Sequence, residues 1–208
     1  MQYGNFLRIR LEILMKSLYS FIVKPLNERY DNIKKVGDKE LIINSSIENH
    51  IFVSKKAVVV STPAAYTTEI KVGDEVYIHH NIFRRWYDQK GRERNSSTYF
   101  KDDMCFCSPE QIYMYNSIPH LDYCFVKPIL NNHLLENRKE EPNVGIVKYT
   151  NKTLEALGIT PGTLITFTPS SEFEFIIDGE RLYCMKSNDI ALTHEYQGDE
   201  TENNPSWA

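Results

Sequence analysis

Apolar and polar residues alternate along this chain in short bursts bounded by turn residues. "AVVVS" (57–61), "EVYIHH" (75–80), "VGIVKY" (144–149), "TLITFTP" (163–169) and "FEFII" (173–177) are rich in β-branched and aromatic side chains. That pattern predicts half-buried strands. "YSFIVKP" (19–25) and "DYCFVKP" (122–128) both close on proline. Proline lacks a ladder donor, so each strand must end there or lie at an edge. Val72-Gly73-Asp74, Thr160-Pro161-Gly162 and Asp178-Gly179 supply turn chemistry between the bursts. The one helical run, "NKTLEALGI", is short and stops at Gly158. The prediction is an all-β chain of short strands, as in sandwiches and barrels.

The bursts also echo one another. "FIVKP" (21–25) returns as "CFVKP" (124–128). "IKVGDEVYIHHN" (70–81) returns as "ITPGTLITFTPS" (159–170). "MCFCSPEQIYMY" (104–115) returns as "LYCMKSNDIALT" (182–193). The order is the same in both halves, and the first half carries the longer spacers. Ordered self-similarity of this kind predicts two copies of one small β-domain. Ser108 and Ser187 are expected to cap the turn before each final strand.

Composition narrows the function classes. A length of 208 residues suits one large domain or two small ones, and 41% hydrophobic residues suffice for a core. The net charge of −4 provides no global basic field for nucleic acid. Four cysteines without a disulfide spacing point to reduced thiols and a cytoplasmic setting. Cys105, Cys107, Cys124 and Cys184 lack any Cys-x-x-Cys pair, so buried thiols are expected rather than zinc, and no metal site is assigned. His79 and His80 would alternate faces on a strand, one exposed and one packed. No Gly-x-Gly-x-x-Gly turn, P-loop or Gly-x-Ser-x-Gly appears, so no enzyme activity is expected. The start of the chain is too short and too charged to span a bilayer and shows no cleavage site.

An apolar strand ending in Val-Lys-Pro, a long loop, a Val-Gly-Asp turn into a strand, a hairpin, and a final "Ser-x-x-Ile" turn and strand resembles the GroES-type co-chaperonins. "Ser187-Asn188-Asp189-Ile190-Ala191" is similar to that family's last turn and strand. The resemblance implies two tandem GroES-like small β-barrels. The first would span 18–116, with a long mobile loop at 26–52 and an inserted hairpin at 82–101. The second would span 121–196, after an N-terminal extension (1–17) and before a disordered tail (197–208). The divergence and the charged inserts suggest a bacteriophage-like origin, which would put the protein in the host cytoplasm.

The resemblance also implies a mechanism without covalent chemistry or a cofactor of its own. Family members cap a GroEL-type chaperonin ring that binds and hydrolyses ATP, and they enclose a folding client. A homo-oligomeric ring is implied. The mobile loop docks through an apolar tripeptide, and Leu41-Ile42-Ile43 stands at that place. Its ordering on binding keeps each contact reversible, so several loops act together. Asp38-Lys39-Glu40 stand where the family has glycines, and "VGDKELII" reads equally as a turn and an ordinary strand. The second half has a shorter loop, 129–143, holding Leu134-Leu135 and no tripeptide, so one docking loop per chain is expected. The insert mixes cations and aromatics: Arg84, Arg85, Trp86 and Tyr87 form a candidate client- or cage-facing element. Such a mixture can also bind single-stranded nucleic acid. The acidic balance instead favours a plain hairpin, turning at Lys90-Gly91, whose aromatics pack on the barrel. The rival to the lid is a structural or binding module of the same fold, such as a phage particle protein.

Overall fold

The sequence pattern becomes two antiparallel sheet systems in a computed structural model, which describes residues 16–30, 33–36, 39–42, 46, 49–130, 140–195, 201–203 and 205. Most of the N-terminal extension, Leu134-Leu135 and Trp207 lie outside the described residues. The chain divides into two compact units, Met1–Asn116 and Ser117–Ala208.

In the first unit the strands are β1 (Phe21–Pro25), β2 (Ile33–Val36), β3 (Lys39–Ile42), β4 (Lys56–Ser61), β5 (Glu75–Ile78), β6 (Arg85–Tyr87), β7 (Glu93–Asn95), β8 (Tyr99–Lys101), β9 (Met104–Cys107) and β10 (Ile112–Tyr115). Its main sheet runs β10-β5-β4-β1-β9-β8. Alternation fixes the buried face: along β4, Ala57, Val59 and Ser61 point inward while Lys56, Val58 and Val60 are half-buried. Ala57 and Val59 join Phe21, Val23, Ile78, Phe83, Cys105, Cys107 and Ile112 in one core.

In the second unit the strands are β11 (Ile118–Pro119), β12 (Tyr123–Leu130), β13 (Glu140–Tyr149), β14 (Leu164–Phe167), β15 (Phe173–Ile177), β16 (Glu180–Lys186) and β17 (Ile190–His194), with the short helix α1 (Lys152–Ala156) between β13 and β14. The sheet runs β17-β14-β13-β12-β16-β15. Cys124, Val126, Val147, Ile165, Phe167 and Met185 form its core, with Leu154 of α1 packed into it. Asn151 caps α1, its side-chain oxygen accepting from the Leu154 amide at 3.0 Å.

The two sheets share one strand order and one register. Val23 faces Val59 and Pro25 faces Ala57 in the first; Val126 faces Val147 and Pro128 faces Gly145 in the second. Phe21 faces Cys107, as Cys124 faces Met185. Both Val-Lys-Pro strands carry an irregularity just before the valine, but only β1 ends at its proline. Against expectation, β12 runs through Pro128 to Leu130, because β16 pairs with it only as far as Val126 and takes no bond from the proline nitrogen. The turns match as well. Gly73 and Gly162 both have φ +93°, and each amide donates at 2.8 Å to a carbonyl of the preceding strand, Val59 or Val147. Neither sheet closes into a ring of paired strands among the described residues.

Two expectations are corrected by local hydrogen bonds. Ser108 opens a 3₁₀ turn whose Gln111 side chain accepts from the Ser108 amide at 2.9 Å. In the second unit Lys186 holds that place, its amide donating to Asp189 at 3.0 Å. Ser187 does not cap: its hydroxyl donates to the Asp122 carbonyl at 3.0 Å and accepts from Asn151 at 2.8 Å. Residues 201–203, read from sequence as disordered tail, lie along β12: Leu130 donates to Thr201 and Asn203 donates to Pro128, each at 2.8 Å.

Candidate functional site

The long excursion between β1 and β4 is closed at its root. Leu26 donates to the Lys56 carbonyl at 3.1 Å, and Ser54 donates to the Arg29 carbonyl at 2.9 Å. Tyr30 bridges Val53, and both are buried. Beyond this root β2 and β3 pair only with each other, in the register Ile33–Ile42, Lys34–Leu41, Lys35–Glu40 and Val36–Lys39. Leu41 is 59% exposed. The residues expected to dock thus stand partly on a hairpin outside the main sheet. Leu41 and Ile42 close β3, while Ile43 and the side chain of Ile42 lie outside the described residues.

The insert holds that root. Arg29 donates to Asn95 at 2.8 Å and to the Phe83 carbonyl at 2.9 Å, and its guanidinium lies 5.5 Å from the centre of the Tyr99 ring. The Tyr30 hydroxyl accepts the Arg85 amide at 2.8 Å, and the Arg85 guanidinium covers the Tyr30 ring at 4.8 Å. Within the insert β6 pairs with β7: Arg85 faces Asn95, Trp86 faces Arg94 and Tyr87 faces Glu93. Asp88 shapes the turn by accepting the Lys90 and Arg92 amides, each at 2.9 Å, and Gly91 takes φ +71°. Those amide bonds, the Arg92 one foremost, hold the Asp88 carboxyl below the usual range.

The four residues singled out in the insert do not act as one patch. Period-two alternation sends Arg85 toward Tyr30 and Glu93, which it meets at 2.8 Å. Arg84 and Trp86 line a cavity of about 650 Å³ together with Asn81, Ser96, Ser97, Thr98 and Gln111. Tyr87 is exposed, and so is Trp86. The aromatics at positions 86 and 87 therefore do not pack on the sheet as expected; Phe83, fully buried, does so instead. The Ser96 and Thr98 hydroxyls both reach the Ile82 carbonyl, at 2.8 and 3.0 Å, which fixes one wall. The Arg84 Nε is buried and has no hydrogen-bond partner.

Sequence reading missed that wall. Ser96-Ser97-Thr98 and Arg84-Arg85-Trp86 are far apart in sequence, but the Arg85–Asn95 pair sets them across one hairpin. The observed register is symmetric about Lys90, whereas a count outward from Lys90-Gly91 would have set Arg85 against Ser96, one residue off.

Beside the cavity three histidines meet. His79 ends β5 rather than continuing it: its Nδ1 accepts the Asn81 amide at 3.1 Å and opens a 3₁₀ turn. The His79 and His80 rings stack at 4.4 Å, and His50 stands 5.2 Å from His80. Both are half-buried, so the expected split into one exposed and one packed ring is not seen. Burial first, then the neighbouring His79, His50, Lys55 and Arg84, depress His80 from 6.5 to about 4. A base depressed on folding binds fewer protons folded than unfolded between those values, so its stability contribution is present above pH 6.5 and is lost as pH falls toward 4. His80→Gln should flatten that part of the melting-temperature profile between pH 6.5 and 4 relative to wild type. An unchanged difference between the two proteins across that range would contradict it.

All four cysteines are free and buried. No group of three or more His, Cys, Asp or Glu among the described residues could hold a metal ion. No described helix is long and apolar enough to cross a membrane. No family model matches the chain, and no curated protein matches it.

Proposed function

We propose that the chain is a tandem co-chaperonin: two GroES-like barrel modules that, as a homo-oligomeric ring, cap a GroEL-type chaperonin and enclose a folding client. The chain needs no cofactor for this; ATP belongs to the partner. The observation that carries the reading is the β2/β3 hairpin, pinned at Arg29–Tyr30 and Val53–Ser54 and offering Leu41 to solvent. Leu41-Ile42-Ile43 is the docking element in this reading. The strand order common to both units supports duplication of one module. Tyr87 and Trp86 are both exposed, and in this reading they face a client.

One observation favours the rival. Lys39–Ile42 is a paired strand, not a free loop. A pinned hairpin suits a structural or binding module of the same fold, such as a particle protein.

Size-exclusion chromatography with a GroEL-type chaperonin, with ATP or ADP present, separates the two. Wild type is expected to co-elute only with nucleotide, and Leu41→Ser/Ile42→Ser/Ile43→Ser is expected to lose co-elution. Co-elution surviving in the variant would move the docking site. Absence of co-elution in wild type would overturn the lid and leave the structural module.

A further inference from the structure

We propose that the cavity under the inserted hairpin is a binding site for one nucleotide unit, a phosphate carried with a flat base, either free or within a single strand. The inference does not depend on the lid reading. Among the described residues no carboxylate lines the cavity, so the Arg84 charge faces it without a lining counter-charge. The Arg84 Nε is buried without a partner. The Nε atoms of Arg29 and Arg85 are in the same state, so an anion in the cavity would meet the Nη end of the Arg84 guanidinium, whose planar fork matches phosphate oxygens.

The other wall supplies what a base needs. Trp86 stands on β6 with part of its ring in solvent and part in the cavity. An indole in that position stacks on any base, because every base presents a π-face. Asn81 and Gln111 bring amides that can both donate and accept. The Gln111 side-chain oxygen is already occupied by the Ser108 amide and hydroxyl, at 2.9 and 3.1 Å, which leaves its NH₂ to donate. The Ser96 and Thr98 hydroxyls also bond each other at 2.5 Å, so one donates to the Ile82 carbonyl and the other to its neighbour, and the lone pairs left over can accept from a sugar hydroxyl. The cavity lies within the size range of small-molecule sites.

The wall is also rigid where it must be. The hairpin that carries Arg84 and Trp86 is tied to the rest of the unit through Arg29, Tyr30 and Arg85. Preorganisation lowers the cost of binding.

The chain has two tryptophans, so Trp207→Phe leaves Trp86 as the sole indole. In that full-length background, adenosine monophosphate, adenosine, inorganic phosphate and a short single-stranded oligonucleotide are titrated by fluorescence, with calorimetry in parallel. Adenosine monophosphate is expected to quench Trp86 saturably and to bind more tightly than either adenosine or phosphate. Arg84→Gln is expected to weaken it by at least about tenfold, with Arg84→Lys between the two, because the lysine keeps charge and loses the fork. Trp86→Leu, followed by calorimetry, is expected to cost about fivefold or more. An oligonucleotide that binds far more tightly, with steep salt dependence, would assign the unit to a strand; equal affinity would assign it to free nucleotide. The proposal is overturned by either of two general results: no saturable binding of nucleotide and strand, or binding untouched by Arg84→Gln and Trp86→Leu. Phosphate binding as tightly as the nucleotide would overturn the base. If Arg84→Gln fails to fold by circular dichroism, Trp86→Leu decides alone, since Trp86 is 44% exposed and its loss leaves the core intact.

Discussion

Gly145→Ala is expected to destabilise the second unit by about 3 kcal/mol, read by urea denaturation. An added Cβ would lie 2.6 Å from the Lys127 carbonyl oxygen and 2.6 Å from Val126 Cγ1. Neither atom can retreat cheaply. Both belong to β12, which is held between β13 and β16 at the centre of its sheet. The first unit contains its own control: Ala57 faces Pro25 as Gly145 faces Pro128, and Ala57 is fully buried. One strand spacing thus admits a methyl group where the other does not. Ala57→Gly should cost only about 1–2 kcal/mol, from backbone entropy and the loss of one buried methyl group. A Gly145→Ala change smaller than that of Ala57→Gly would show that β12 can shift after all.

Arg181→Ala is the second large effect, at about 2–3 kcal/mol. The Arg181 side chain is 12% exposed and holds Glu140 and Glu174, donating to the latter at 2.8 Å. It also donates to the Tyr183 hydroxyl at 2.8 Å, and that hydroxyl donates to Glu140 at 2.7 Å. Burial first and the Glu140 bond second push Tyr183 up to about 12. Removing the guanidinium leaves two carboxylates without their cation. Glu174 is 45% exposed, so water screens its share, and the cost falls short of a fully buried pair. Arg181→Ala combined with Glu140→Gln should recover part of the loss in a double-mutant cycle. Additive losses would mean that the two groups are not coupled.

The local half of this fold was legible in the sequence. Alternation in 57–61 and the Gly73 and Gly162 turns place strands where they stand, because side-chain period and positive φ are properties of adjacent residues. The edges were less legible. Strand β13 begins at Glu140, within a stretch read as polar loop, because pairing with Leu130 of β12 outweighs the poor strand propensity of Glu, Pro and Asn. β2 was invisible as a partner for β3, since only their mutual pairing defines either.

The insert shows the same division. A hairpin about Lys90-Gly91 could be read from turn chemistry, but its bonds to Arg29 and Tyr30 could not. Those span more than fifty positions and depend on where the chain returns. His50 joins His80 for the same reason. Exposure of Leu41 likewise follows from its hairpin standing outside the main sheet, which no window around Leu41 encodes.

The buried cysteines give each unit its own chemical clock. Cys105 and Cys107 belong to the first unit, Cys124 and Cys184 to the second. Burial pushes Cys105 up to about 11 and Cys124 up to about 12, and it raises Cys107 and Cys184 as well. None is a thiolate in the closed state at neutral pH, so alkylation must wait for the surrounding strands to part. The rate at which iodoacetamide labels each pair therefore measures how often that unit opens. Peptide mapping of the labelled chain would read the two lifetimes in one experiment, without any mutation.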